Sequence, residues 1–300
     1  MTTVKVESSQ QTGWRLKLRD YWTLTKPEVN FLVLVSTLVG FYLGSTGALH
    51  LGLLLSTLFG TLLVASGTGT LNQYMERSFD AQMRRTARRP IPAGRIAPNA
   101  ALIFGLILAA TGGLFLAVAV NALASALALL TLGSYLIIYT PLKRRTPICT
   151  WVGAVPGAMP PLIGWAAARG DLSLGAWVLY AMLFLWQFPH FMAIAWMYRE
   201  DYSRAGYQML PLSDRAGRTM AIQVLAFSVL LIPVSLIPSF LGQAGIIYLL
   251  GAVVLGGGLL YYGVRLALQR SNSLAKQLLM ASVVYLPVVF ALLMLDKVSI

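Results

Sequence analysis

Asn72, Glu76 and Asp80 stand at intervals of four at the end of a long apolar run, and Arg84, Arg85, Arg88 and Arg89 follow directly. On an α-helix such steps keep the three oxygen-bearing side chains within ~80° of one another and spread them over roughly 12 Å of one stripe. Two carboxylates and an amide in a stripe, with guanidinium groups a turn or two further on, suit a hard divalent cation that bridges the acids to a diphosphate. Asn72, Glu76 and Asp80 are therefore the expected Mg²⁺ ligands and part of the catalytic machinery. Continuing the same step, Arg84 and Arg88 fall on the stripe beyond Asp80 and are the expected stabilisers of a departing diphosphate. Arg89 is expected to bind substrate, and Arg85 reads at least as readily as a basic anchor at the membrane face. A solvated helix end would also carry polar groups, but not at such regular spacing, and acids at a membrane edge are costly enough to need a partner.

Two further stretches carry chemistry. Lys143 and Arg144, in a basic cluster with Arg145, offer a second anionic contact, with Lys143 placed in the catalytic set and Arg144 among the substrate contacts; the same cluster serves equally as a topological anchor. The segment from Trp186 to Tyr202 gathers Gln187, His190, Tyr198, Arg199, Glu200 and Asp201 toward one end of an apolar run interrupted by Pro189. His190, Tyr198, Arg199, Glu200 and Asp201 are expected substrate contacts, and His190 could ligate a haem iron, accept a proton or donate a hydrogen bond. His50 reads as solvated surface, and Cys149, the sole cysteine, as a small packing residue.

The elements that must hold these groups are membrane helices. Of the 300 residues, 57% are hydrophobic and 11% charged, whereas about a quarter of a soluble domain is charged. Apolar windows long enough to span a bilayer fall near 28–46, 51–73, 99–118, 121–140, 150–168, 175–197, 221–240, 244–264 and 277–295. The expected architecture is all-α, nine transmembrane helices, with residues 1–27 as an N-terminal segment, 28–295 as the helical domain and 296–300 as a short tail.

A net charge of +13 raises the question of nucleic acid, but placement answers it. Of the 23 Lys and Arg, all but Arg169 and Lys297 fall in the segments that alternate to one side of the nine windows, which orients the N-terminus to the cytoplasm and the C-terminus outward. No nucleic-acid role is needed. A lone cysteine excludes an intrachain disulfide. The first 25 residues lack a secretory apolar core and contain Glu7 and Asp20, so a bacterial inner-membrane protein is expected.

The polar segments at about 77–98 and 198–219 follow the second and sixth windows, and each sets acids beside arginines, which hints at a repeated four-helix unit. The first should extend its helix briefly and stop near Arg89, before Pro90. Gly153, Pro156, Gly157, Pro160, Pro161 and Gly164 break the regularity of the fifth window, which belongs either beside a cavity or at a close helix contact.

The motif Asn72, Glu76, Asp80, Met83, Arg85, Thr86, Arg89 and Pro90 resembles that of the UbiA-like intramembrane prenyltransferases. With Tyr139 to Thr146, Gly157 to Trp165, Trp186 to Phe191, Tyr198 to Gly206 and the opening Leu24 to Val29, the chain is similar to the haem-farnesylating branch of that superfamily over about residues 22–295. What the resemblance implies is a bundle around a central cavity capped by two cytoplasmic loops. Its substrates would be farnesyl diphosphate and haem b, Mg²⁺ its cofactor, membrane lipid its surroundings and a haem A synthase a downstream partner. The superfamily often has Asp where Glu76 stands, and its second acidic motif is a spaced series where this chain has adjacent Glu200 and Asp201, which puts a second Mg²⁺ site in doubt. A prenyltransferase with another aromatic acceptor is the nearer alternative, and an organic-anion transporter the farther one.

Overall fold

The structure, a computed structural model, describes residues 4–209, 214 and 216–298, with side chains from residue 13 onward. In chain order its helices are α1 (Val4–Leu24), α2 (Pro27–Gly44), α3 (Leu51–Asp80), α4 (Pro98–Ala119) and α5 (Ala122–Gly133). A π-helical stretch (Ser134–Tyr139) then leads into α6 (Thr140–Leu142). There follow α7 (Cys149–Gly157), α8 (Pro160–Arg169), α9 (Leu174–Met197), α10 (Arg199–Arg204), α11 (Arg218–Phe240), α12 (Ile246–Gln269) and α13 (Asn272–Leu295). Residues 210–213 and 215 of the second polar loop lie outside the described residues.

Helix starts are where side chains can serve the free backbone groups. Asn121 Oδ1 accepts from Ala124 N at 2.8 Å ahead of α5, Ser271 Oγ from Leu274 N at 3.2 Å ahead of α13, and α2, α4 and α8 begin on proline.

Among the described residues eight runs are long and apolar enough to cross a membrane: α2, α3, α4, Ala122–Leu142, α9, α11, α12 and α13. The ninth expected window is broken into α7 and α8 at Ala158 and Met159, just before Pro160 and Pro161. The pair still traverses the bundle. Near the start of α7, Cys149 Sγ lies 4.0 Å from the Gln208 carbonyl of the polar loops, while at the far end of α8 the Ala166 carbonyl accepts from Asn121 Nδ2 at 2.8 Å, in the opposite turn. α8 runs parallel to α2, so close that a Cβ on Gly164 would run into the Thr37 carbonyl. This answers the fifth window's glycines with a close helix contact, and its prolines with a break beside the cavity described below.

Buried side chains such as Phe41, Leu162, Leu179, Met182, Tyr248 and Phe290 form the core, while Leu55, Ile107, Val118 and Leu268 stay exposed on the outer surface. An apolar exterior of this kind suits lipid rather than water. α1 is tied to the bundle by Gln73 Nε2, which donates to the Thr23 and Leu24 carbonyls at 3.2 and 3.0 Å.

Candidate active site

α3 carries Asn72, Glu76 and Asp80 to its buried face, one turn apart, as the spacing predicts. Each is met by a cation from a different part of the chain. Lys26 Nζ donates to Asn72 Oδ1 at 2.7 Å, Lys143 Nζ to Glu76 Oε1 at 2.8 Å and Arg89 Nη1 to Asp80 Oδ2 at 2.6 Å. Steps of ~6 Å along α3 separate the three pairs, so together they make a ladder of one cation–amide rung and two ion pairs. Asp80 Oδ1 is buried and has no hydrogen-bond partner among the described residues, which leaves an oxygen lone pair open to a ligand.

The local structure explains which cations arrive. Lys26 adopts a left-handed conformation (φ 54°, ψ 60°) ahead of Pro27, unusual for a residue with a side chain, and this turn lets it reach Asn72 from the start of α2. Lys143 follows a π-helical segment that Thr140, at its C-terminal edge, closes by donating from Oγ1 to the Tyr135 carbonyl at 2.9 Å. Its ammonium lies 4.5 Å from the centre of the Tyr139 ring and about 6 Å from those of Tyr135 and Tyr207. Burial works to lower the Lys143 pKa, and the Glu76 carboxylate more than offsets it, leaving it well above the ordinary lysine value. Lys26 goes the other way: burial, reinforced by the charge of Arg89, lowers it to about 7.

Beyond Asp80 the structure corrects the expected register. The α-helix ends at Asp80 rather than near Arg89, and residues 81–95 form successive turns. Thr86 Oγ1 donates to the Asp80 carbonyl at 2.9 Å, and Arg89 N reaches the Thr86 carbonyl, three residues back, at 2.9 Å. Tighter winding turns Arg85 and Arg89 into the cavity and leaves Arg84 and Arg88 exposed outside it, so the two arginines expected as stabilisers are not brought to the site. Arg85 also stands 5.2 Å over the Tyr198 ring.

These groups line one end of a cavity of ≈ 570 Å³, within the usual size of ligand sites. Apolar residues such as Val64, Ile163 and Leu183 and, on α9, Trp186, Gln187 and His190 line the same cavity, which reaches the surface at exposed Glu28 and Val29. His190 stacks on Trp186 with ring centres 4.8 Å apart, and Trp186 Nε1 donates to the Ser282 carbonyl at 2.8 Å. The His190 Nδ1 lies 2.9 Å from Ser282 Oγ, whose own hydroxyl hydrogen goes to the Leu279 carbonyl at 2.7 Å. Ser282 is therefore the acceptor, Nδ1 carries the proton, and Nε2 keeps its lone pair.

The remaining expected contacts do not line the cavity. Arg144 is exposed and packs over Phe79; Glu200 is exposed. Asp201 pairs with Arg204 at 3.1 Å, and Arg199 donates to the Trp196 carbonyl and Asn272 Oδ1 at 2.7 Å each. The Tyr198 ring lies under Arg85 and does not line the cavity, whereas Tyr202 and Tyr207 do. Among the described residues no three His, Cys, Asp or Glu side chains come together, so the second loop assembles no acidic cluster of its own. Lys26, Tyr135, Tyr139, Tyr202 and Tyr207 were not anticipated as site residues. The four-residue spacing of Tyr135, Tyr139 and Lys143 was the available signal for the first two tyrosines.

A bundle of membrane helices with an oxygen-rich, cation-ringed pocket at one end of an apolar cavity defines an intramembrane prenyltransferase. The chain belongs to the UbiA prenyltransferase family, whose model matches residues 33–286. Among curated relatives it is similar to the protoheme IX farnesyltransferase of Solibacter usitatus (strain Ellin6076), 50% identical over 93% of this chain and 99% of that one. It is also 46% identical to the protein of that name from Salinibacter ruber (strain DSM 13855 / M31), over 93% and 99% of the two chains. Among solved structures it shares the fold of one described as a digeranylgeranylglyceryl phosphate synthase, with TM-score 0.78, 18% identity and coverage of 93% and 98%. A UbiA homologue from Archaeoglobus fulgidus bound to GPP and Mg²⁺ matches with TM-score 0.61 and 15% identity over 91% and 99%.

Proposed function

We propose that this protein transfers the farnesyl group of farnesyl diphosphate to a vinyl group of haem b, with addition of water, giving haem O and diphosphate. The observation that carries the reading is one cavity lined both by the charged ladder on α3 and by an apolar, aromatic wall that includes Trp186 and His190. The relatives named protoheme IX farnesyltransferase support farnesyl as the donor group and haem as the acceptor.

Asn72, Glu76 and Asp80 fit Mg²⁺, with hard oxygen donors and a free oxygen on Asp80. Bound there, Mg²⁺ would supply Lewis-acid stabilisation of the diphosphate. In the structure Lys26, Lys143 and Arg89 occupy the ligand oxygens, and Arg85 waits at the same end. Four basic side chains thus face two carboxylates, a surplus suited to a diphosphate anion. On substrate binding these cations turn to the phosphate oxygens, bind them in place and stabilise the charge that develops as the allylic C–O bond breaks.

The tyrosines around Lys143 present π faces beside the same pocket, where a farnesyl cation would form. Apolar cavity walls keep water from that cation until the vinyl carbon has attacked it. The new carbocation next to the porphyrin ring then takes up water and loses one proton. His190 lines the same cavity with its Nε2 lone pair available, which supports a contact to the haem in this reading.

Incubating the purified protein with haem b, farnesyl diphosphate and Mg²⁺, with an EDTA arm, and extracting the haem for mass spectrometry tests the proposal. The expected result is a hydroxyethylfarnesyl haem that EDTA suppresses. Unmodified haem, with diphosphate released when another aromatic acceptor is supplied, would overturn the acceptor; product formed equally with EDTA would overturn the metal.

A further inference from the structure

Outside the central cavity, α12 and α13 leave a second hollow of ≈ 610 Å³ between them. Its charged and amide groups are confined to one end, with Arg265 near the end of α12 and Lys276 and Gln277 near the start of α13. The remainder runs along apolar side chains such as Val254 and Val284. Trp196 Nε1 donates to the Arg270 carbonyl at 3.0 Å, so the α12–α13 turn sits beside the end of α9, at the same end of the bundle as the charged ladder. From Arg265 to Val254 the helix rises about 16 Å, close to one leaflet of a ≈ 30 Å hydrocarbon core.

Sequence makes this space. Gly258 lines the hollow, and a Cβ placed on it would meet no atom within 4 Å. Val254, Met280, Val284 and Lys276 are exposed, so the hollow opens on the outer surface of the bundle. Arg265 Nη1 donates to Gln277 Oε1 at 3.2 Å, which fixes the guanidinium at the rim. Among the described residues no acid lines the hollow and no ion pair engages Arg265 or Lys276.

We propose that the hollow is a binding site for an anionic phospholipid, with the head-group phosphate on Arg265 and Lys276 and an acyl chain lying along α12 over Gly258. Two cations without a neighbouring acid favour a net negative head group over a zwitterionic one, whose ammonium would find no partner. The apolar part matches a chain in length and direction, entering from the head-group level and ending near mid-bilayer. A helix of a second copy, ~10 Å across with its side chains, needs a broad face rather than a slot closed at one end by charge.

The test is native mass spectrometry of the purified protein in detergent, titrated with phosphatidylglycerol and phosphatidylcholine of identical chains. Wild type is expected to retain phosphatidylglycerol at about tenfold lower concentration or less, from two phosphate contacts. Arg265→Gln with Lys276→Gln should abolish that preference, and Gly258→Phe should exclude both lipids with the thermal midpoint unchanged. Lys276→Gln alone, on the exposed surface, gives an independent reading should Gly258→Phe misfold. Equal retention of the two lipids by wild type, or undiminished phosphatidylglycerol on the double variant, would overturn the proposal. So would a lipid-free wild-type dimer that Gly258→Phe dissolves, since a second copy would then occupy the hollow.

Discussion

Lys143 Nζ meets Glu76 Oε1 at 2.8 Å across 67 residues of sequence, with 13% and 8% of the two side chains exposed. A pair this buried is costly to break from one side, because the partner left behind keeps its charge with nothing to compensate it. Glu76→Gln should therefore abolish farnesyl transfer and lower stability by on the order of 3 kcal/mol. Glu76→Gln combined with Lys143→Met should regain most of that stability and none of the activity. Thermal denaturation in detergent and product mass supply the readouts. A double variant no more stable than the weaker single one would show that the pair is not coupled.

The turns after Asp80 divide the arginines into two classes. Arg85 and Arg89 line the cavity, and Arg84 and Arg88 do not. Losing one charged hydrogen-bond donor to a phosphate costs about 1.5–3 kcal/mol, or roughly tenfold to a hundredfold. Arg85→Ala should raise KM for farnesyl diphosphate at least about tenfold, while Arg84→Ala and Arg88→Ala stay within about threefold of wild type. Initial rates with varied farnesyl diphosphate decide the matter. A large effect at Arg88 with none at Arg85 would restore the helical register expected from spacing alone.

What the sequence made legible follows from range. The membrane runs and the Asn72, Glu76 and Asp80 stripe depend on contacts within a few residues, and α-helical periodicity holds throughout α3. That periodicity ends at Asp80, where the Thr86 hydroxyl binds the Asp80 carbonyl, and Arg84 and Arg88, reached by steps of four, lie outside the cavity. Lys26 was hidden for another reason. It meets Asn72 over 46 residues, through a left-handed backbone conformation that spacing does not encode. The second loop's Glu200 and Asp201 look like Glu76 and Asp80 in composition, yet they sit on a short helix outside the cavity.

The glycines of the bundle are not equivalent. A Cβ at Gly164 would strike the Thr37 backbone, which cannot swing aside, whereas Gly257 faces open space. Gly164→Ala should cost about 1–3 kcal/mol or more by forcing α8 away from α2. Gly257→Ala should be neutral or stabilising by up to about 1 kcal/mol, through helix propensity. Comparing thermal midpoints of the two variants tests the contrast, and equal destabilisation would contradict the close α2–α8 approach.

Asp214 supplies a pH-dependent anchor for α11. Its carboxylate accepts from Arg218 N at 2.7 Å and Thr219 N at 2.6 Å. Partial burial works against the charged form, and these backbone donors outweigh it, so the pKa lies below its ordinary value. With the folded pKa depressed, the stabilisation is fully present above the unfolded value of about 3.9 and is lost as pH falls through the folded one. Amide-exchange protection at the start of α11 should hold from neutral pH to about pH 4 and fall below it. Asp214→Asn should remove that pH dependence; an unchanged profile in the variant would assign it to another group.

His190 lines the same cavity as the charged ladder but makes no contact with it among the described residues. Its Nδ1 proton is committed to Ser282 Oγ and its ring is stacked on Trp186, so the imidazole is held with Nε2 as a fixed acceptor. Glutamine cannot supply an imidazole nitrogen lone pair, and His190→Gln should therefore weaken haem binding about tenfold, the scale of one lost hydrogen bond or weak ligand contact. Soret titration of the purified protein reads this directly, and binding of farnesyl diphosphate should stay within about twofold of wild type, because the charged ladder on α3 is formed by other residues. Ser282→Ala, which frees the imidazole tautomer while leaving the ring in place, should shift the Soret spectrum less than His190→Gln. Should His190→Gln instead impair farnesyl diphosphate binding and leave the haem titration untouched, His190 would belong to the donor's site and not to the haem's.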